Sequence, residues 1–242
     1  MGKTAVVEST KNFVLSAGDF GFGQDCQRCL FLERNLGIKQ PSGPFSKTIL
    51  EMERKEKDRM AGLKNLRAIN VDFPNGHVLS KTVKKDGKET ISAGGRPTSA
   101  AVTIGDMTFT VKGQYDFLVE LETGGYALVL WKSSMPKEDN LPKVANQMNA
   151  IAWAIEHNVK VDERKNIRQL GVIVFDTNAF DRGENAYQWH QFQVDPVGFE
   201  NLLLDTGKML SGDCPDYTRD GKGSISCDCC ERDSQILSLT AR

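Results

Sequence analysis

The chain has 242 residues, 39% of them hydrophobic and 26% charged, with 22 glycines, which is enough to bury a sizeable core within the range of one domain. This composition excludes a disordered chain, and a net charge of −1 excludes a global electrostatic drive toward nucleic acid, so any such binding needs a local basic surface. Residues 1–20 hold no apolar stretch of signal-peptide length and no later run could cross a bilayer, so a cytoplasmic protein with a single domain over 1–242 is expected.

The first motif in chain order is Cys26-Gln27-Arg28-Cys29. The remaining cysteines, Cys214, Cys227, Cys229 and Cys230, lie near the other end, and none of the six falls between. A C-x-x-C spacing lets two thiolates from one turn reach a single metal, and Cys227 with Cys230 supplies a second such pair. Buried free thiols would scatter along the chain, and disulfides would accompany secretion. A thioredoxin-like redox role gains nothing from a second, distant cysteine group. Cys26, Cys29, Cys227 and Cys230 are therefore expected to form a four-sulfur set for zinc or an iron–sulfur cluster, which requires the two ends of the chain to meet.

Pro41, Gly43 and Pro44 mark a loop, after which Ser46 or Thr48 can cap a helix, with Glu51 at capping-box distance from Thr48. On that helix Ile49, Glu53, Glu56, Met60 and Leu63 share one stripe, so two carboxylates interrupt an apolar face; pairing with Arg54, Lys57 or Arg59 is the simplest reason for them. Lys81, Lys84, Lys85 and Lys88 surround Asp86-Gly87, which predicts a solvated hairpin, and Gly94-Gly95-Arg96-Pro97 predicts a loop.

The middle of the chain alternates as strands do. Met107, Phe109 and Val111 form one run, Phe117, Val119 and Leu121 a second, and residues 126–131 a buried third after the turn at Thr123-Gly124-Gly125, giving a hairpin-rich sheet. Asp116, Leu118 and Glu120 share one face of the second run, and Leu130 and Lys132 one face of the third. A helix opens at Asn140 with Pro142 in its first turn, its stripe Leu141, Val144, Met148, Ile151 and Ile155, and Gln147 at the edge. Strands at 170–176 and 187–194 and a helix over 197–210 complete an α/β chain with a mixed sheet flanked by helices. His77, His157 and His190 stand singly and read as structural, and there is no phosphate-cradling glycine motif.

The order Gly113-Gln-Tyr-Asp116, a hairpin ending in Leu130-Trp-Lys132, and Gln147 on the following helix resembles the core of the PD-(D/E)XK nuclease superfamily over most of the chain. With the terminal cysteines, and with an opening segment CQRCLFLERNLGIKQPSGPF like that of bacterial members, it resembles the RecB-like branch that includes CRISPR-associated exonucleases. The resemblance implies a restriction-endonuclease-like sheet and a Mg²⁺- or Mn²⁺-dependent deoxyribonuclease acting on single strands or ends, with a structural iron–sulfur or zinc centre. It implies Asp116 as metal ligand, Lys132 supporting the attacking water, Gln147 as the helix glutamine, and Glu53 or Glu56 as the acid of the first helix. Cys214 or Cys229 could replace one cluster ligand, since cluster-bearing relatives can draw three from the C-terminal side.

The chain departs from the pattern at two positions. Leu130 stands where the second metal-binding acid belongs, and Ile151 where an aromatic usually follows the glutamine. Glu120 is a poor replacement, because four extended residues carry it about 13 Å along the strand from Asp116. The other functions the sequence leaves open are a decayed nuclease-fold DNA-binding module, favoured by Leu130, and a cysteine-metal interaction protein with no nucleic-acid role, favoured by the near-neutral charge.

Overall fold

The computed structural model describes residues 11–21, 25–39, 47–85, 88–133, 138–217, 227–231 and 234. In chain order its elements are β1 (Lys11–Ser16), α1 (Ala17–Phe20), α2 (Gln27–Leu36), α3 (Lys47–Ala61), β2 (Gly76–Val78), β3 (Lys81–Lys85), β4 (Lys88–Ser92), β5 (Val102–Ile104), β6 (Met107–Lys112), β7 (Phe117–Leu121), β8 (Tyr126–Lys132), α4 (Leu141–Glu156), β9 (Ile167–Phe175), α5 (Thr177–Asp181), β10 (Tyr187–Phe192) and α6 (Pro196–Ser211).

The central sheet has the order β10-β9-β8-β7-β2, with β8 and β9 parallel and every other pair antiparallel. The parallel pair needs a crossover, and α4 supplies it. β8 is buried on both faces, which explains its unbroken apolar run. Leu128 and Leu130 point into a core with Val144, Met148 and Ile151 of α4 and Phe199 and Leu203 of α6. Val129 and Trp131 point the other way, toward Met60 of α3 and Phe73. The fold is thus α/β with a mixed sheet between helical layers.

Met107–Lys112 does not join the sheet that holds β7. It is the middle strand of a separate sheet, β1-β6-β5, parallel to β1 and antiparallel to β5. The chain leaves this sheet at Gly113–Asp116, alongside residues 95–99 through bridges of Gly95 to Tyr115 and Thr98 to Lys112. A Cβ on Gly113 would lie 3.1 Å from Cγ1 of Ile151, so the departure point is wedged against α4. The alternating pattern correctly marks a strand but carries no information about which neighbour it pairs with.

Several boundaries lie close to expectation: α3 covers the acidic stripe, β9 and β10 contain the two late strands, and α6 extends the last helix by a residue at each end. Asn140 precedes α4 but makes no cap bond to its backbone; its Oδ1 accepts from Lys143 Nζ at 3.0 Å. β3 and β4 pair as an antiparallel hairpin. Residues 86–87 at its tip, the loop at Pro41–Pro44 and the Ser46 cap lie outside the described residues, as do the side chains of Thr48, Lys84, Lys85 and Lys88.

Candidate cysteine metal centre and basic groove

Cys26 occupies the N-cap of α2, and Cys29 lies one helical turn later with its amide donating to Cys26 Sγ at 3.5 Å. Cys227 to Glu231 forms a second turn of helix, closed by Glu231 N donating to Cys227 O at 2.9 Å. These turns bring Sγ of Cys26 to 3.4 Å from Cys230, and Sγ of Cys29 to 3.5 Å from Cys227 and 3.4 Å from Cys230. All four sulfurs lie within 4.8 Å of one another, joining the N-terminal and C-terminal regions as the C-x-x-C spacing requires.

Cys26, Cys29 and Cys230 are buried and Cys227 is half-buried. Burial, followed by hydrogen bonds from Cys230, Cys227 and Cys26, pushes the Cys29 thiol far above its ordinary pKa, and burial with the Cys26 contact pushes Cys230 up to about 12. Burial also works to raise Cys227, but hydrogen bonds from the Cys230 amide, the Cys29 thiol, the Cys229 amide and the Cys26 thiol together outweigh it and hold this thiol lower. Four sulfurs so crowded cannot all ionise unless a cation joins them, and a soft metal supplies that charge. The donor set therefore fits a bound metal.

Arg28, between the first two ligands, donates through Nη1 to Cys214 Sγ at 3.3 Å and Pro215 O at 3.0 Å, and its guanidinium lies 4.3 Å from the Tyr217 ring centre. Cys214 is exposed and stands outside the four-sulfur set, as does Cys229. Arg34 pairs with Asp19 at 2.5 Å and Asn35 Nδ2 donates to Leu210 O at 2.9 Å, so α2 is also tied to α1 and α6. Cys214→Ser should leave the metal content of the purified protein unchanged, whereas Arg28→Ala should free residues 214–217 and speed their cleavage in limited proteolysis.

The second candidate site lies at the start of β7. Asp116 accepts from the Trp131 amide through Oδ2 at 2.7 Å, and its Oδ1 pairs with Lys57 Nζ at 2.7 Å. Lys57 also pairs with Glu53, one turn earlier on α3, and lies 5.9 Å from the Trp131 ring centre. Burial alone would lower the Lys57 pKa, but Asp116 and then Glu53 hold it above the ordinary lysine value. One ammonium thus bridges both carboxylates.

Of the expected catalytic residues, the structure brings only Glu53 to Asp116. Glu56 bonds to Arg59 and to the Tyr187 hydroxyl, whose pKa burial and Glu56 push up to about 12. Lys132 is half-buried at the end of β8, and its side chain makes no hydrogen bond or ion pair among the described residues. Gln147 lies against Gly21, and its buried Oε1 has no partner among the described residues. Leu130 is 5% exposed with its side chain in the core, although its neighbours Val129 and Trp131 both bond to Asp116. Glu120 sits opposite Tyr126 and His77, further along the sheet.

Asp116, Glu53 and Lys57 form part of the wall of a cleft of about 990 Å³, which is also lined by the exposed cations Arg54, Lys81, Arg96 and Lys160 and by the exposed acids Asp58, Asp162 and Glu163. Lys160 pairs with Glu163; Arg54, Lys81 and Arg96 have no ion-pair partner among the described residues. Sequence reasoning assigned Arg96 to a plain loop and Arg54 to helix-surface pairing. The i,i+4 spacing of Glu53 and Lys57 was the one visible signal of this arrangement.

No protein-family profile and no curated protein matches the chain. Among solved structures it is similar to SSO0001, at 14% identity and a TM-score of 0.47, over 87% of this chain and 80% of that one. It is also similar to the alkaline exonuclease LHK-Exo from Laribacter hongkongensis, at 13% identity and a TM-score of 0.38, over 81% of this chain and 83% of the enzyme. LHK-Exo in complex with dAMP gives 12% identity and a TM-score of 0.41, over 81% of this chain and 86% of that one. These likenesses reach the general course of the chain and no individual site residue.

Proposed function

We propose that this chain binds DNA, as single strands or ends, along the Arg54, Lys81 and Arg96 side of the cleft, on a PD-(D/E)XK-type scaffold whose hydrolytic site is closed. The observation that carries this reading is the Lys57 ammonium held between Asp116 and Glu53. A hard divalent ion needs several oxygen ligands. Among the described residues the only group of three or more metal-competent side chains is the cysteine set, and Leu130 offers no oxygen. The residues around Asp116 therefore do not fit a resident Mg²⁺ or Mn²⁺. Arg54, Lys81 and Arg96, exposed and without ion-pair partners among the described residues, are the cleft's cations that could meet a polyanion, and they outnumber the unpaired exposed acids Asp58 and Asp162 beside them.

The test is fluorescence anisotropy with a labelled single-stranded oligonucleotide. Wild type should bind without added metal, and Arg54→Glu with Arg96→Glu should weaken binding by roughly tenfold or more and lower the salt slope by about two charges. Binding that ignores both substitutions would remove the cleft from the function.

A second reading is favoured by the same geometry. Glu53 and Asp116 converge on one cation, so hydrolysis by a divalent ion would require the Lys57 ammonium to leave. Lys57→Met isolates this possibility. The variant should lose about 1–3 kcal/mol of stability, since it strands a largely buried carboxylate, and should gain Mn²⁺ binding by calorimetry. Mn²⁺-dependent cleavage of the labelled strand by wild type, lost in Asp116→Ala and Lys132→Ala, would establish the nuclease instead.

A further inference from the structure

We infer that the cysteine set holds a single zinc ion, and not an iron–sulfur cluster. The inference rests on sulfur spacing alone and does not depend on what the cleft does. Sulfurs that share one ion at a bond length of about 2.3 Å lie about 3.8 Å apart in a regular tetrahedron and cannot be more than about 4.6 Å apart. The three contacts at 3.4 and 3.5 Å fall within about 0.4 Å of the tetrahedral edge, and the outer bound of 4.8 Å lies only about 0.2 Å above the limit for a shared ion. In a four-iron cluster each thiolate caps a different iron on the outside of a cage, so its separation from the next includes the iron–iron distance plus the outward reach of two bonds. A two-iron cluster imposes the same separation between its two cysteine pairs.

The local backbone supports the close spacing. Both C-x-x-C segments are helical turns, which place their paired thiols on one side. Cys26 and Cys230 are 3% and 0% exposed, so the sulfur set is closed to solvent on this side. Tetrahedral thiolate sites select zinc among common divalent ions because carboxylate-preferring metals gain little from sulfur.

The test is elemental analysis with acid-labile sulfide on protein purified both in air and anaerobically, together with cobalt exchange. One zinc per chain, no labile sulfide in either preparation, and the ligand-field bands of tetrahedral cobalt thiolate after exchange are expected. Cys29→Ser and Cys230→Ser should each lose the zinc, and Cys214→Ser should keep it. Stoichiometric iron with sulfide in the anaerobic sample would overturn the inference, as would a single iron without sulfide. If a serine variant fails to fold, zinc release from wild type, titrated by a thiol-reactive reagent against a chromogenic chelator, reads the same stoichiometry.

Discussion

Cys230→Ser is expected to abolish metal retention and to lower the midpoint of thermal unfolding by roughly 5–20 °C. Cys230 is 0% exposed and contacts two other ligand sulfurs, so serine leaves a three-sulfur set around a hydroxyl that binds soft metals poorly. The ion closes a loop running from Cys26 to Cys230, and cross-links over such loops contribute about 2–5 kcal/mol through the unfolded state. At about 2–4 °C per kcal/mol for a chain of this size, that range gives the stated shift. The damage should be local first, because the two main cores contain no cysteine. Limited proteolysis should cut near residues 214–231 before the sheet is attacked. A chelator acting on wild type should reproduce both effects. An unchanged midpoint after complete metal loss would mean that the Arg28, Arg34 and Asn35 contacts suffice to hold the ends together.

These two features differ sharply in how legible they were in the sequence. The cysteine set could be read because C-x-x-C is a local spacing with one geometric meaning, and Cys26, Cys29, Cys227 and Cys230 meet as that meaning requires. Four of the five strands of the central sheet, β7 to β10, were legible for the same reason, since alternation and buried runs are local. Pairing was not. Met107–Lys112 pairs with β1, a partner that its own alternation does not name, and β2 is hard to read because a three-residue strand has too few positions to alternate. The catalytic constellation depended on non-local placement. Asp116 and Glu53 meet, but through Lys57, whose role follows from the packing of α3 over Trp131 and appears in no motif. Glu56, three residues from Glu53, is directed to Tyr187 instead.

Leu130→Glu provides the sharpest test of whether the groove is closed by design of the core or by a single missing oxygen. Leu130 is 5% exposed, pairs in register with Val172, and packs in the cluster with Met148 and Ile151. An acid there loses leucine's packing and becomes a buried polar group; burial would raise its pKa and favour the neutral form. We expect a loss of about 3–5 kcal/mol by chemical denaturation, against less than about 1.5 kcal/mol for Leu130→Met, which conserves volume. The apolar surroundings of Leu130 thus make the departure from the nuclease pattern a property of the whole core, with Ile151 filling the space at Gly113 as part of the same packing. If Leu130→Glu instead folds with wild-type stability, binds Mn²⁺ and cleaves labelled DNA in a manner abolished by Asp116→Ala, the core accommodates the acid and Lys57 yields to the ion. The chain would then be one substitution away from a nuclease, and the cleft's cations would already be placed to hold its substrate.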